Sequence, residues 1–278
     1  HDKHPNYEST KYALSHYDNT QSVQHHYAHI LGVMAEKQMT SKVLGVAFDG
    51  TGYGDDATLW GGEFLLCDRD GYERVGHLAY FKLLGGAKAI KEPKRVALSL
   101  LFDLYGEESL NLKIDTIKAF SPSELNTHFI AWKKGLNAPL SSSVGRIFDA
   151  VSSLTGVCHV MSFEGESGML LEELYDSNVK GHYTFSYKEG IIGMLPMIKE
   201  IVEEKDHIVA ISRFFNTLVE MIKSMHSLYD VPLVLSGGVF QNRVLLGLVL
   251  EAIPTAIISN HIPPNDGGIA LGQMMASH

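Results

Sequence analysis

Two histidines four residues apart, His25 and His29, lie in a segment that reads as helix, so both imidazoles project from one side, one turn apart. Two neutral imidazoles at that spacing can hold one divalent cation, although a pair of helix-surface histidines has the same spacing. His26 points about 100° away on an ideal helix and does not share the ion directly. As a neighbour of the ligands it is a candidate acid–base group. His1, His4 and His16 read as surface or tag-derived residues. A second group of residues lies in Asp49-Gly50-Thr51-Gly52-Tyr53-Gly54-Asp55-Asp56, directly after the apolar run 43–48. Its glycines permit close backbone approach to phosphate oxygens, and Asp49 can ligate a metal or orient a water. A tight hairpin that merely needs glycine reads the same way. Ser236-Gly237-Gly238 follows another apolar run and precedes a helix, where backbone N–H groups attract an anion. Asn242, one turn on, can reach a ribose or base. Asn265-Asp266-Gly267-Gly268 is a third glycine turn ahead of a helix, in which Asp266 alone reads as an N-cap.

Several chemistries are excluded. GxxxxGK[ST] is absent and GxGxxG is not matched. The net charge of −9 and the lack of a long basic run argue against nucleic-acid binding. The two cysteines, Cys67 and Cys158, are far apart and outside any CxxC spacing, so a thiolate zinc site is not expected and a reducing cytoplasm fits best. No apolar run is long enough to cross a bilayer. The chain opens on His1-Asp2-Lys3-His4-Pro5, which suggests a fragment of something longer.

The elements that must position these residues follow from periodicity. Residues 7–39 read as helical, most clearly from Gln21 to Met39. A buried strand over 43–48 ends in the glycine turn. Two further strands, 59–67 and 72–81, are joined by Asp68-Arg69-Asp70-Gly71. From Glu92 the pattern is helical, with Pro93 in the first turn. Residues 106–140 read as an irregular helical insertion, and 143–154 as a strong helix. A strand over 183–187, a long amphipathic helix over 206–228, a strand over 231–235, a helix from Gln241, a strand over 256–258 and a closing helix over 268–276 complete the order. Three strands followed by helices alternating with single strands predict an α/β, ribonuclease-H-like lobe.

The segments HPNYEST (4–10), QHHYAH (24–29), FDGTGYGDDATLWGGEF (48–64), SSSVGRIFDAV (141–151), SFEGESG (162–168), LSGGVFQN (235–242) and PPNDGGIALGQ (263–273) resemble, in order, the C-terminal part of the HypF carbamoyltransferases of [NiFe]-hydrogenase maturation. More distant relatives are the tRNA threonylcarbamoyl transferases and antibiotic O-carbamoyltransferases. The resemblance implies an actin/Hsp70-like (ASKHA) fold whose first lobe is represented by a helical tail, residues 1–40. A second lobe would span 41–258, and a closing loop and helix 259–278. It implies carbamoyl transfer from carbamoyl-adenylate, made from carbamoyl phosphate and ATP, to the C-terminal cysteine of HypE. That step leads to the cyanide ligands of the hydrogenase iron. It also implies a divalent metal, iron or zinc, on His25, His29, Asp49 and Asp266. Nucleotide contacts are implied at Asp49, Gly50, Thr51, Gly52, Tyr53, Asp149, Gly165, Gly237, Gly238 and Asn242.

The family's glycine-rich strand-loop upstream of HPNY is not in this chain, nor are the acylphosphatase-like and YrdC-like domains that make the adenylate. Relatives carry a glutamate near position 170, where this chain has Leu170, so that contact is altered or falls to Glu172 or Glu173. Two other readings stay open: small-molecule O-carbamoyl transfer at the same site, and an inactive nucleotide-binding or docking module.

Overall fold

The computed structural model describes residues 1–276. Helices α1 (Glu8–His16) and α2 (His25–Glu36) precede strands β1 (Val43–Tyr53), β2 (Leu59–Asp68), β3 (Gly71–Leu78) and β4 (Phe81–Lys82). There follow α3 (Ala87–Lys91), α4 (Pro93–Tyr105), α5 (Asp115–Lys118), α6 (Pro122–Lys134), β5 (Leu140–Ser141), α7 (Val144–Leu154) and α8 (Glu166–Glu173). The edge hairpin β6 (Ser186–Lys188) and β7 (Ile191–Gly193) leads to α9 (Leu195–Glu203), α10 (His207–His226), β8 (Leu233–Ser236), α11 (Arg243–Ala252) and α12 (Ile269–Ala276).

β1 is the hub of the sheet. It pairs antiparallel with β2 and parallel with β8, while β3 continues antiparallel from β2. Its side chains alternate between two cores, as a strand buried on both faces requires. Leu44, Val46 and Phe48 enter the core shared with α7 and α10, whereas Val43 and Ala47 face α2. The continuous apolar run 43–48 reflects this double burial. The sheet order, with its antiparallel hairpins extended by a parallel strand, is the expected ribonuclease-H-like lobe.

On the α2 side, α12 lies against α2 at backbone distance. A Cβ on Gly272 would sit 1.8 Å from the Ala28 carbonyl oxygen, so only glycine permits the approach. Glu36, at the C-terminal end of α2, accepts hydrogen bonds from the backbone N–H groups of Asn260, His261 and Ile262 at 2.7–3.1 Å. Together these contacts fold the 260–268 loop back over the start of α2.

Several expectations need correction. Residues 17–24 are not helical, and the helical tract 7–39 is two helices. Gln24 begins the second, its side chain accepting from Tyr27 N at 2.8 Å. β1 does not stop at Phe48 but runs to Tyr53; register slips between Phe48 and Gly52, so Asp49-Gly50-Thr51 form a bulge inside the strand. The tight turn lies further on, at 54–58. The 72–81 strand divides into β3 and β4. The 183–187 strand is displaced to β6, because Tyr183 is spent as a buried core residue. The 256–258 strand reduces to one bridge, Ile257 to Val234. A 3₁₀ turn, Gly238–Gln241, precedes α11, which starts at Arg243. Helices α8 and α9 carried no expectation, although Pro196 at the start of α9 is a usual first-turn signal. Residues 106–134 form a 3₁₀ turn, Gly106–Asn111, and helices α5 and α6, packed around Phe102, Phe120 and Leu125.

Candidate metal centre and adjoining cleft

The bulge, the start of α2 and the folded-back loop converge. One ligand atom from each of His25, His29, Asp49 and Asp266 lies within 4.8 Å of all the others. His25 Nε2 is 3.3 Å from Asp49 Oδ2 and 3.6 Å from Asp266 Oδ1; His29 Nε2 is 3.8 and 3.6 Å from the same atoms. Both histidines are buried, and His29 Nε2 has no hydrogen-bond partner. A buried ring nitrogen left unpaired beside two carboxylates is costly as a solvated-type group and apt as a ligand. Two imidazoles and two carboxylates without thiolate suit zinc or iron. The residues therefore fit the metal that the sequence resemblance implies.

Each ligand is positioned by identifiable local chemistry. Asp49 sits in the bulge, whose carbonyls at Asp49 and Gly50 accept from Ser143 Oγ at 2.8 and 2.6 Å. Its Oδ1 accepts from Gly238 N at 3.0 Å, leaving Oδ2 for the histidines. The anion drawn to the Ser236-Gly237-Gly238 turn is thus the protein's own carboxylate. Gly237 N–H goes to the Pro264 carbonyl at 2.9 Å. Asn265, not Asp266, caps the 3₁₀ turn at Asp266–Gly268 by accepting from Gly267 N. That frees the Asp266 side chain, 65% exposed, to face the histidines. His25 Nδ1 donates to Asp2 Oδ2 at 2.7 Å.

Electrostatics follow from this crowding. Burial alone would lower the His25 pKa, but hydrogen bonds to Asp2 and Asp49 overcome it and push it up to about 10. For Asp49 burial would raise the pKa; the bond from His25 and the charges of His29 and His26 hold it well below the carboxylate range instead. His26 is fully buried against Gly52 and Trp60, and burial followed by the nearby His25 charge drives its pKa far down. His26 is therefore a neutral interior residue. A Cβ on Gly52 would come within 2.5 Å of both His25 and His26, so Gly52 makes room for the rings.

A cleft of about 1090 Å³ opens beside the four ligands. Of the expected nucleotide contacts, Asp49, Gly50, Thr51, Asp149, Gly165, Gly238 and Asn242 line it, whereas Gly52, Tyr53 and Gly237 do not. Tyr53 turns toward His4, ring centroids 5.4 Å apart. Asn242 is committed to capping α11, accepting from Leu245 N while donating to the Gly168 carbonyl. Asp149 forms the cleft floor with Arg146, 2.8 Å from its Nη1, and accepts from Ser167 Oγ. Burial pushes its pKa up to about 6 against the opposing pull of Arg146. Glu172 also lines the cleft and accepts from Arg243 N at 2.9 Å; Glu173 does not line it.

Sequence reasoning missed Asp2 and Tyr7. Tyr7 lines the cleft edge-on to His25, centroids 6.4 Å apart. Its pKa is pushed up to about 12, first by burial and then by Asp2, Asp266 and Asp49. For Tyr7 the signal was its place within the HPNYEST segment; Asp2 lies two residues before that segment and carried no signal of its own. His4, read as a surface residue, stacks on Tyr7 at 4.4 Å.

The model described as "Carbamoyltransferase, Kae1-like Domain, second subdomain" matches residues 45–273, and the "HypF Kae1-like domain" model matches residues 1–36. The chain belongs to the HypF carbamoyltransferase family. It is 39% identical to the carbamoyltransferase HypF of a Synechocystis species, over 99% of this chain and 39% of that protein. Among solved structures, full-length HypF in a phosphate- and nucleotide-bound form is 34% identical with a TM-score of 0.89, covering all of this chain and 46% of that one. HypF of T. kodakarensis matches at 30% identity and a TM-score of 0.82, over 99% of this chain and 39% of that one. The chain thus spans less than half the length of these HypF relatives, and its own fold is the actin/Hsp70-like lobe that the resemblance implied.

Proposed function

We propose that this chain carries the carbamoyl-transfer site of a HypF enzyme, passing a carbamoyl group from carbamoyl-adenylate to the C-terminal cysteine of HypE. The observation that carries this reading is the convergence of His25, His29, Asp49 and Asp266 on the edge of a cleft large enough for a nucleotide. His25 and His29 from α2, Asp49 from the bulge and Asp266 from the folded-back loop would hold a divalent ion. When bound, that ion supplies Lewis-acid polarisation of the carbamoyl oxygen and neutralises charge on the departing phosphate. Gly50 and Thr51 line the cleft beside Asp49 and suit the phosphate of the adenylate. Tyr7, protonated at neutral pH, can donate a hydrogen bond into the same space. The acceptor thiolate attacks the carbamoyl carbon, a C–S bond forms, and the C–O bond to AMP breaks.

The test supplies carbamoyl-adenylate generated by a full-length HypF and weighs HypE by mass spectrometry. A gain of one carbamoyl group on the terminal cysteine is expected. Transfer only to small alcohols would move the chain to the O-carbamoyltransferases, and no transfer together with intact nucleotide binding would make it a docking module. The chain alone is expected not to turn over carbamoyl phosphate with ATP.

A further inference from the structure

The segment His1-Asp2-Lys3-His4, in which only His1 and His4 were read from sequence as surface or tag-derived residues, supplies a buried carboxylate beside the candidate metal centre. Asp2 is 3% exposed. Its Oδ1 accepts from His4 N at 2.7 Å in a local turn, and its carbonyl accepts from Thr10 Oγ1 at 2.9 Å. A bridge pairs Asp2 with Val23, two residues before α2. Backbone and rotamer are therefore set independently of His25, and Oδ2 is left to accept from His25 Nδ1 at 2.7 Å. A carboxylate that claims the proton of one ring nitrogen leaves the lone pair on the other, here Nε2, which faces Asp49 and Asp266. His29 has no such partner: among the described residues its carboxylate neighbours lie only at Nε2.

We propose that Asp2 is a positioning residue of the metal centre, fixing the tautomer and ring orientation of His25 so that Nε2 is presented as a ligand. This rests on the metal-centre reading above. The two halves of the centre then differ. His25 is held by a carboxylate contributed from outside α2, whereas His29 meets carboxylates, among the described residues, only at Nε2. The N-terminal strap and the 260–268 loop approach α2 from separate parts of the chain, and each delivers one aspartate.

The experiment titrates the chain with Co²⁺, whose visible ligand-field bands report both affinity and coordination geometry. It compares the wild-type chain with Asp2→Ala, Asp2→Asn and Thr10→Val, with circular dichroism checking the fold. Removing the carboxylate in Asp2→Ala is expected to weaken binding by about 10–100-fold and to change the band shape. Asp2→Asn keeps an acceptor oxygen without the charge and should fall between. Thr10→Val removes one of the bonds that set the Asp2 backbone but leaves the carboxylate and its bond from His4 N, and should weaken binding less than Asp2→Ala does. Wild-type affinity and bands in folded Asp2→Ala and Asp2→Asn would overturn the proposal. So would an equal loss in Thr10→Val, since the effect would then come from the strap. If the wild-type chain takes no Co²⁺, the metal-centre reading itself fails and the role of Asp2 falls with it.

Discussion

At the residue scale, the proposed metal centre is a set of groups whose protonation is mutually determined. Without a cation, His25 is held protonated between Asp2 and Asp49, with its pKa pushed up to about 10. Its contribution to folding stability is complete below its ordinary value of 6.5 and is lost as pH rises through about 10. Asp49 works in the opposite sense: its contribution is present above 3.8 and disappears as pH falls through its lower folded value. A cation on His25 Nε2 must displace the proton there. Affinity should therefore climb about tenfold per pH unit between neutrality and about 9, with roughly one proton released per ion. Calorimetric titration with Zn²⁺ in buffers of different ionisation enthalpy measures that number; zero protons released would contradict the assignment. The double change His25→Ala, His29→Ala removes both nitrogen donors, and elemental analysis should then find no bound metal. Metal content equal to wild type would exclude this ligand set.

At the element scale, the site depends on two close approaches. One is the contact of α12 with α2 at Gly272, where an added methyl would meet the Ala28 carbonyl at 1.8 Å. Gly272→Ala should cost about 1–3 kcal/mol through overpacking. It should also weaken metal binding, because α12 carries the Asp266 loop. A thermal melt with a parallel Co²⁺ titration measures both, and lost stability without lost affinity would show that the loop is not coupled to the helix. The other approach is the bulge in β1, braced from the β2 side. Glu63, wholly buried, accepts from the N–H groups of Gly61 and Gly62 and from Ser142 Oγ at 2.5–3.2 Å. Arg74 donates to it at 2.6 Å while lying 3.8 Å over the Trp60 ring. Arg74→Ala leaves that carboxylate without its counter-charge and should destabilise the chain by about 3–5 kcal/mol in urea unfolding. A change within error would mean that water compensates Glu63. This is the Trp60-Gly61-Gly62-Glu63 stretch, so part of the quoted family motif serves to hold the strand rather than to contact substrate.

At the scale of the whole molecule, ligands that bind only the folded lobe should stabilise it. Metal at 100 times its Kd adds about 2.7 kcal/mol, which for a chain of this size raises Tm by about 5–10 °C. Scanning fluorimetry with Zn²⁺, and with AMP in the cleft, checks this, and a flat response to both would remove the reading of a preformed site. Among the described residues no helix is long and apolar enough to cross a membrane. How much of this was legible in advance differs by element. The strand 43–48, the helix 143–154 and the pair His25 and His29 were readable because periodicity is a local property of the chain. So was the order of strands and helices that defines the lobe. The family resemblance carried by the sequence also named His25, His29, Asp49 and Asp266, in motifs spaced over more than 200 residues, and the fold brings these four together. Tertiary structure alone decided that the Asp49 stretch is a bulge in a strand rather than a turn, because the slip exists only against β2. It decided that the Gly238 amide serves Asp49, and that Asn265 takes the cap so that Asp266 can face the ring nitrogens. It also placed Asp2 behind His25. Apart from the Asn265 cap, a bond to Gly267 N two residues on, each of these outcomes is set by pairing between distant segments, and no local pattern records which partner a donor or acceptor will find.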